Sequence, residues 1–248
     1  MFVGIADTFA VSFSGDADVS GVSLVTSFNT VLIFFFTALS SGGAVIISQY
    51  IGGKNKKAAS RSAGQLLMIS TVISMIMAAL ILVFRTQLLR LLFGKIEADV
   101  MAACESYLWI TTLSLPFLAI YDAGAALCRS IGKTNVTMNV SVIANVINVI
   151  GNCIGVFVLK TGAAGVAWPS LISRVFSAAV ITFFCFRKKN SVRYQMRDVF
   201  AWDGSLLRKV MGIALPNGVE NGVHQLVKVA LSSTWLPCSE PIKLPPTG

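Results

Sequence analysis

The chain has 248 residues, of which 55% are hydrophobic and only 12% charged. A soluble domain carries about 25% charge, and a mean hydropathy of +0.76 belongs to a chain that lives in lipid, so a soluble enzyme, a disordered tail and a nucleic-acid module are all disfavoured. The net charge of +9 comes from 20 Lys and Arg against 11 Asp and Glu; in so apolar a chain it measures basic loops facing the cytoplasm.

About 13 apolar residues precede the turn Ser14-Gly15-Asp16. At 1.5 Å per residue they reach about 20 Å, short of a hydrocarbon core of about 30 Å. The segment lacks the basic start of a signal peptide and reads as the outer part of a helix whose beginning is absent. Asp7 sits in its middle.

Five full spans follow, at about 21–48, 60–84, 104–127, 135–159 and 163–186. Val19 to Gly53 holds no charge. Ser62 to Phe84 is uncharged, and Ser106 to Cys128 is interrupted by Asp122 alone. Thr134 to Leu159 is again free of charge, and Thr161 to Phe186 holds only Arg174. About 20 apolar residues suffice for a crossing. Between the second and third runs, residues 85–97 space their apolar side chains as a helix does and are expected to lie along the outer interface. Residues 201–233 open a further helix, carrying Glu220 shortly after Pro216. Beyond Ser233, four of the seven prolines fall in the last twelve residues. No helix survives that density, and 234–248 is expected to be an aberrant tail read out of the gene's frame.

Loops 49–61, 129–133 and 187–209 hold thirteen Lys and Arg, whereas the opposite side holds four: Arg85, Arg90, Lys95 and Lys160. The basic side is the cytoplasmic one, which predicts a multi-pass protein of the plasma (cell inner) membrane with its N-terminus in the cytoplasm.

Polar residues inside spans are the functional candidates, because a charge at mid-bilayer costs about 2.5–3.5 kcal/mol on insertion scales. Ser141, Asn145, Asn148 and Asn152 recur at steps of four, three and four, one polar stripe on an apolar helix. Interhelical hydrogen bonding and cavity lining explain such a stripe equally well. Arg174 must face protein or water, through a structural partner or a substrate. Asp122, seven residues before Arg129, is expected to form a local ion pair with it. Ser23, Ser27, Thr30, Thr37 and Ser41 follow a spacing common in membrane helices.

Catalytic signatures are absent. His224 is the sole histidine, the five cysteines show no close pair, and neither a phosphate-binding glycine loop nor a nucleophile elbow occurs. Cysteines so placed read as small buried hydrophobes. The chain is read as no enzyme, with no cofactor.

Taken together, several motifs resemble the multidrug and toxic compound extrusion (MATE) transporters, from Met1 to about Ser233. They are Ala6-Asp7-Thr8, the stretch Ser48 to Asn55, the stretch Leu127 to Thr134, the asparagine helix, Gly165-Val166-Ala167-Trp168-Pro169, and the stretch Ile213 to Asn221. The resemblance implies an all-α membrane protein: the six-helix N-lobe (1–200) of a twelve-helix antiporter, plus the start of its seventh helix (201–233). It implies export of cationic or aromatic drugs or metabolites in exchange for H+ or Na+, with the bilayer and the missing C-lobe as partners. On this reading the coupling acid of the first helix falls on Asp7. An Asn-x-x-x-Asp pair falls on Asn148 and Asn152, where the second member cannot titrate. Glu220 matches an acid that ligates a cation such as Na+, while Ser141, Asn145 and Arg174 line the cavity. The alternatives are a lipid-linked oligosaccharide flippase of similar fold, and a non-transporting or defective gene product. One lobe leaves the cavity without a second wall, so the 248-residue chain alone is expected to move no cationic dye.

Overall fold

A computed structural model describes residues 15–93, 97–158 and 162–187, together with positions 11, 192, 194, 204–205, 208–213, 216 and 220. Seven α-helices cover nearly all of the continuous stretches: α1 (Asp16–Gly52), α2 (Lys56–Val83), α3 (Arg85–Phe93), α4 (Ala98–Leu113), α5 (Leu115–Ser130), α6 (Thr134–Cys153) and α7 (Gly162–Phe186). Four of them are long and apolar enough to cross a membrane, or five spans if α4 and α5 count as one. Asp7 lies outside the described residues.

Local chemistry sets the turns. Asn55 caps α2 by accepting the Ala58 N–H at 3.1 Å. Between α5 and α6, Gly132 takes φ +75°. The Lys133 N–H donates to Cys128 O at 2.8 Å and the Gly132 N–H to Arg129 O at 3.1 Å. That is the paired closure which a left-handed residue at a helix end permits. At the other end of the bundle, Asp18 accepts the Ala163 N–H at 3.3 Å, so the start of α1 ties down the start of α7.

The apolar run expected as one span over 104–127 is broken. Pro116 cannot donate the N–H that Thr112 O requires; the chain pivots at Ser114, and α4 and α5 meet at 42°. The run over 135–159 also ends irregularly, α6 passing into a π-helical turn at Ile154–Val158.

Helix α1 packs on α2, α4 and α5, while α7 packs on α4, α5 and α6. The bent α4–α5 pair is therefore central. Among the described residues α6 is peripheral, resting chiefly on α7, with Met138, Val142, Val146, Val149 and Ile150 exposed on its outer side. The core forms two apolar clusters. One gathers Phe36, Leu39, Leu66, Leu127, Cys128, Ile181 and Cys185 at the end carrying the basic turns. The other gathers Val22, Val25, Ile81, Leu108, Leu115 and Val166 toward the opposite end.

Cys104, Cys128 and Cys185 are free and buried, whereas Cys153 is exposed. Far apart in sequence, Cys128 on α5 and Cys185 on α7 bring their Sγ atoms to 4.0 Å, because α5 and α7 pack side by side.

Candidate functional site

Midway along the helices, buried polar side chains cross the bundle. On α6, Asn148 is fully buried and Asn152 nearly so. Their amides turn inward because the opposite face of α6 is apolar and exposed among the described residues, and a buried amide must find partners. Asn148 Nδ2 donates to Ser170 Oγ on α7 at 2.9 Å, and Asn152 Nδ2 reaches Asn148 Oδ1 at 3.5 Å.

The two helices come this close because glycines stand at their contact. Gly151 faces Pro169, and a Cβ on Gly155 would strike the Gly165 carbonyl. Pro169 inside α7 also removes the N–H that the Gly165 carbonyl would otherwise receive. The Gly165 carbonyl thus lacks its helical donor where it closely approaches Gly155.

One turn further along α7, Arg174 Nη1 donates to Ser114 Oγ at 2.6 Å. Ser114 Oγ in turn donates to Thr111 O at 2.6 Å. Asn29 on α1 donates to Thr111 Oγ1 at 3.1 Å. The polar file therefore runs from α6 through α7 and the α4–α5 bend to α1. Arg174 has its structural partner at the pivot.

Asp122 departs from the expected local pair. The Arg129 guanidinium donates to Ser40 Oγ at 3.1 Å, and Ser40 donates to the Asp122 backbone carbonyl at 2.5 Å. The Asp122 carboxylate feels both Arg129 and Arg174, and its Oδ2 is enclosed with no hydrogen-bond partner among the described residues.

Ser141 and Asn145 are half-buried on the same stripe, and one turn before Ser141 the Thr137 carbonyl accepts from the Tyr121 hydroxyl at 3.4 Å. Glu220 is helical and exposed, and its chain neighbours fall outside the described residues. The hydroxyls of Ser27, Thr30 and Ser41 donate to their own helix four residues back, as they do in lipid-buried helices. Asn29, Ser114 and Ser170, which the sequence reading missed, make the contacts between helices. Small polar residues scattered through apolar runs were their only local signal.

Chemically, the seam offers amide, hydroxyl and carbonyl oxygens that can ligate a hard cation or orient a polar solute, with Arg174 as a fixed positive charge nearby. Neither asparagine can take up a proton.

A family model described as MatE matches residues 1–154. Protein DETOXIFICATION 43 of Arabidopsis thaliana is 29% identical over 122 residues, covering 49% of this chain and 23% of that protein. A multidrug resistance MATE family transporter in an inward-facing conformation superposes with a TM-score of 0.82 at 22% identity, over 88% of this chain and 49% of its own. A MATE in the bent conformation superposes with a TM-score of 0.84 at 21% identity, over 93% and 51%. The chain thus spans about half the length of the solved transporters it matches, and what they share with it is the fold of one lobe. With the family model covering well over half of its length, the chain belongs to the MatE family of multidrug and toxic compound extrusion transporters.

Proposed function

We propose that this lobe forms one wall of a secondary active antiporter in the plasma membrane, exporting cationic or aromatic small molecules against a proton or sodium gradient. One observation carries the reading: the Asn148–Ser170 pair, buried in an otherwise apolar seam and continued by Asn152 and Arg174. Buried polar groups in a membrane helix are expensive and mark paths for ions or substrates.

Within this scheme Asp7 is the proton- or cation-binding acid of the lobe. Asn148 and Asn152 shape its surroundings without titrating, and Glu220 supplies a cation ligand, including to Na+, at the opening of the second lobe. Ser141 and Asn145, half-buried on the same stripe, face the cavity. Arg174 positions the α4–α5 bend on which the cavity wall rests. Transport of this kind needs two lobes rocking about a midplane site, so a single lobe alone is inactive.

The test uses a two-lobed transporter built on this lobe and reconstituted in vesicles. Asp7→Asn should leave insertion intact and abolish gradient-driven export of a cationic dye. Export at the parental rate overturns the assignment of Asp7. Imposing the proton and sodium gradients separately identifies the coupling ion.

A further inference from the structure

Asp122 is the only acid of α5, a helix packed on α1, α2, α6 and α7. At 1.5 Å per residue it stands about 12 Å along the chain from the Ser114 pivot and about 10 Å from Arg129. It therefore lies between the polar file at mid-bundle and the end carrying the basic turns. An acid at such depth must be paired, hydrated or neutral.

The contacts around it serve its backbone and leave its carboxyl unserved. Ser40 on α1 donates to the Asp122 carbonyl at 2.5 Å, and the Arg129 guanidinium donates to Ser40 Oγ at 3.1 Å. The neighbouring Tyr121 hydroxyl donates away from it, to Thr137 O on α6 at 3.4 Å. Asp122 Oδ2 is enclosed and meets no hydrogen-bond donor among the described residues, although the residue as a whole is only half-buried. One carboxyl oxygen is thus held where a negative charge has no hydrogen bond, in a residue that keeps an open side.

We propose that Asp122 is a proton-binding site of this lobe, its carboxyl taking up and releasing a proton between the mid-bundle file and the basic end. Enclosure of Oδ2 favours the neutral acid, whereas a nearby cation favours the anion. Among the described residues the cations acting on it are Arg129, from its own helix, and Arg174, from α7; α1 brings Ser40, which does not titrate, and Tyr121 is turned to α6. Uptake forms an O–H bond with a proton from water and leaves two cations beside a neutral acid. Release returns that proton to water and leaves the anion between them.

Arg174 is bonded to Ser114 at 2.6 Å, so a change in the α4–α5 bend moves one of the two cations. Movement of Arg174 away from Asp122 favours uptake, and its return favours release. The part this plays in coupling rests on the antiporter reading above. The proton site itself is separate from Asp7 and is tested without transport.

The experiment records infrared spectra of the purified full chain in lipid vesicles over about pH 5 to 8, the range in which a proton carrier must exchange. Parent minus Asp122→Asn should show a carboxylic C=O band that grows on acidification while the carboxylate bands shrink. Arg129→Gln should move its midpoint to higher pH, because a cation favouring the anion is lost; Arg85→Gln, at the far end of the bundle, should not. Helical circular dichroism reports folding. Where Asp122→Asn unfolds, Asp122→Glu takes its place and should return a titrating band at a shifted frequency. A difference spectrum without a titrating carboxyl band, or a midpoint that ignores Arg129→Gln, overturns the proposal. A titrating Asp122 in a lobe whose two-lobed form shows no gradient-driven export sustains the proton site and sinks the antiporter reading.

Discussion

Asn148 and Ser170 form a buried hydrogen bond between two membrane helices. Ser170→Ala strips the amide of its acceptor, and the expected cost is about 0.6–1.7 kcal/mol, read as a lower unfolding midpoint in mixed micelles. Among the described residues, the hydroxyls of Ser27, Thr30 and Ser41 bond within α1. Their alanine variants should stay within about 0.5 kcal/mol of the parent in the same measurement. The stripe itself was legible, since steps of four, three and four put Ser141 to Asn152 on one helix face whatever the surroundings. Its partner was not. Which residue of α7 meets Asn148 depends on how two helices slide against each other, and no local pattern in Ser170 records that. The same gap hid the approach of Cys128 to Cys185.

At the level of elements, the contact between α6 and α7 depends on missing side chains. Gly155→Ala places a methyl group in the Gly165 carbonyl, and backbone yields less readily than a flexible side chain. The expected loss is about 1–3 kcal/mol. Gly52, at the end of α1, has nothing near the position of its absent Cβ, so Gly52→Ala should be neutral or stabilise by up to about 1 kcal/mol. Thermal aggregation midpoints of the two variants should move in opposite directions or differ clearly in size. Charge-free runs made the long helices legible because lipid tolerates so few charges. The pivot at Ser114 escaped notice because a proline near a helix start is ordinary; only the apolar residues before it, already helical as α4, turn Pro116 into a break.

For the whole lobe, the two apolar clusters are tied at their ends by different means. Asp18 joins α1 to the start of α7 at one end, and at the other Tyr194 returns to Cys185. Asp18→Ala removes the acceptor that caps α7 from another helix and should cost roughly 1 kcal/mol, seen as faster hydrogen exchange at Ala163 with little change around Cys185. Orientation is tested on the same scale. Single cysteines at Lys57, Gly132 or Arg208, in a background lacking the native five, should resist membrane-impermeant thiol reagents applied to intact cells. Ready labelling at all three would reverse the assignment of the basic loops to the cytoplasm. The lysine and arginine count supplies the predicted orientation, whereas the division of the core into two clusters among the described residues needed the packing.

The peripheral place of α6 has a consequence for how the chain is made. Synthesis delivers α6 to the membrane before its principal neighbour among the described residues exists, so Asn148 and Asn152 first meet lipid without Ser170. A nascent chain halted after residue 160 should therefore hold α6 poorly, and glycosylation or protease tags placed beyond it should report mixed topology. Extending the same chain through Phe186 should resolve the mixture, because α7 arrives with the hydroxyl and the glycine seam that α6 was waiting for.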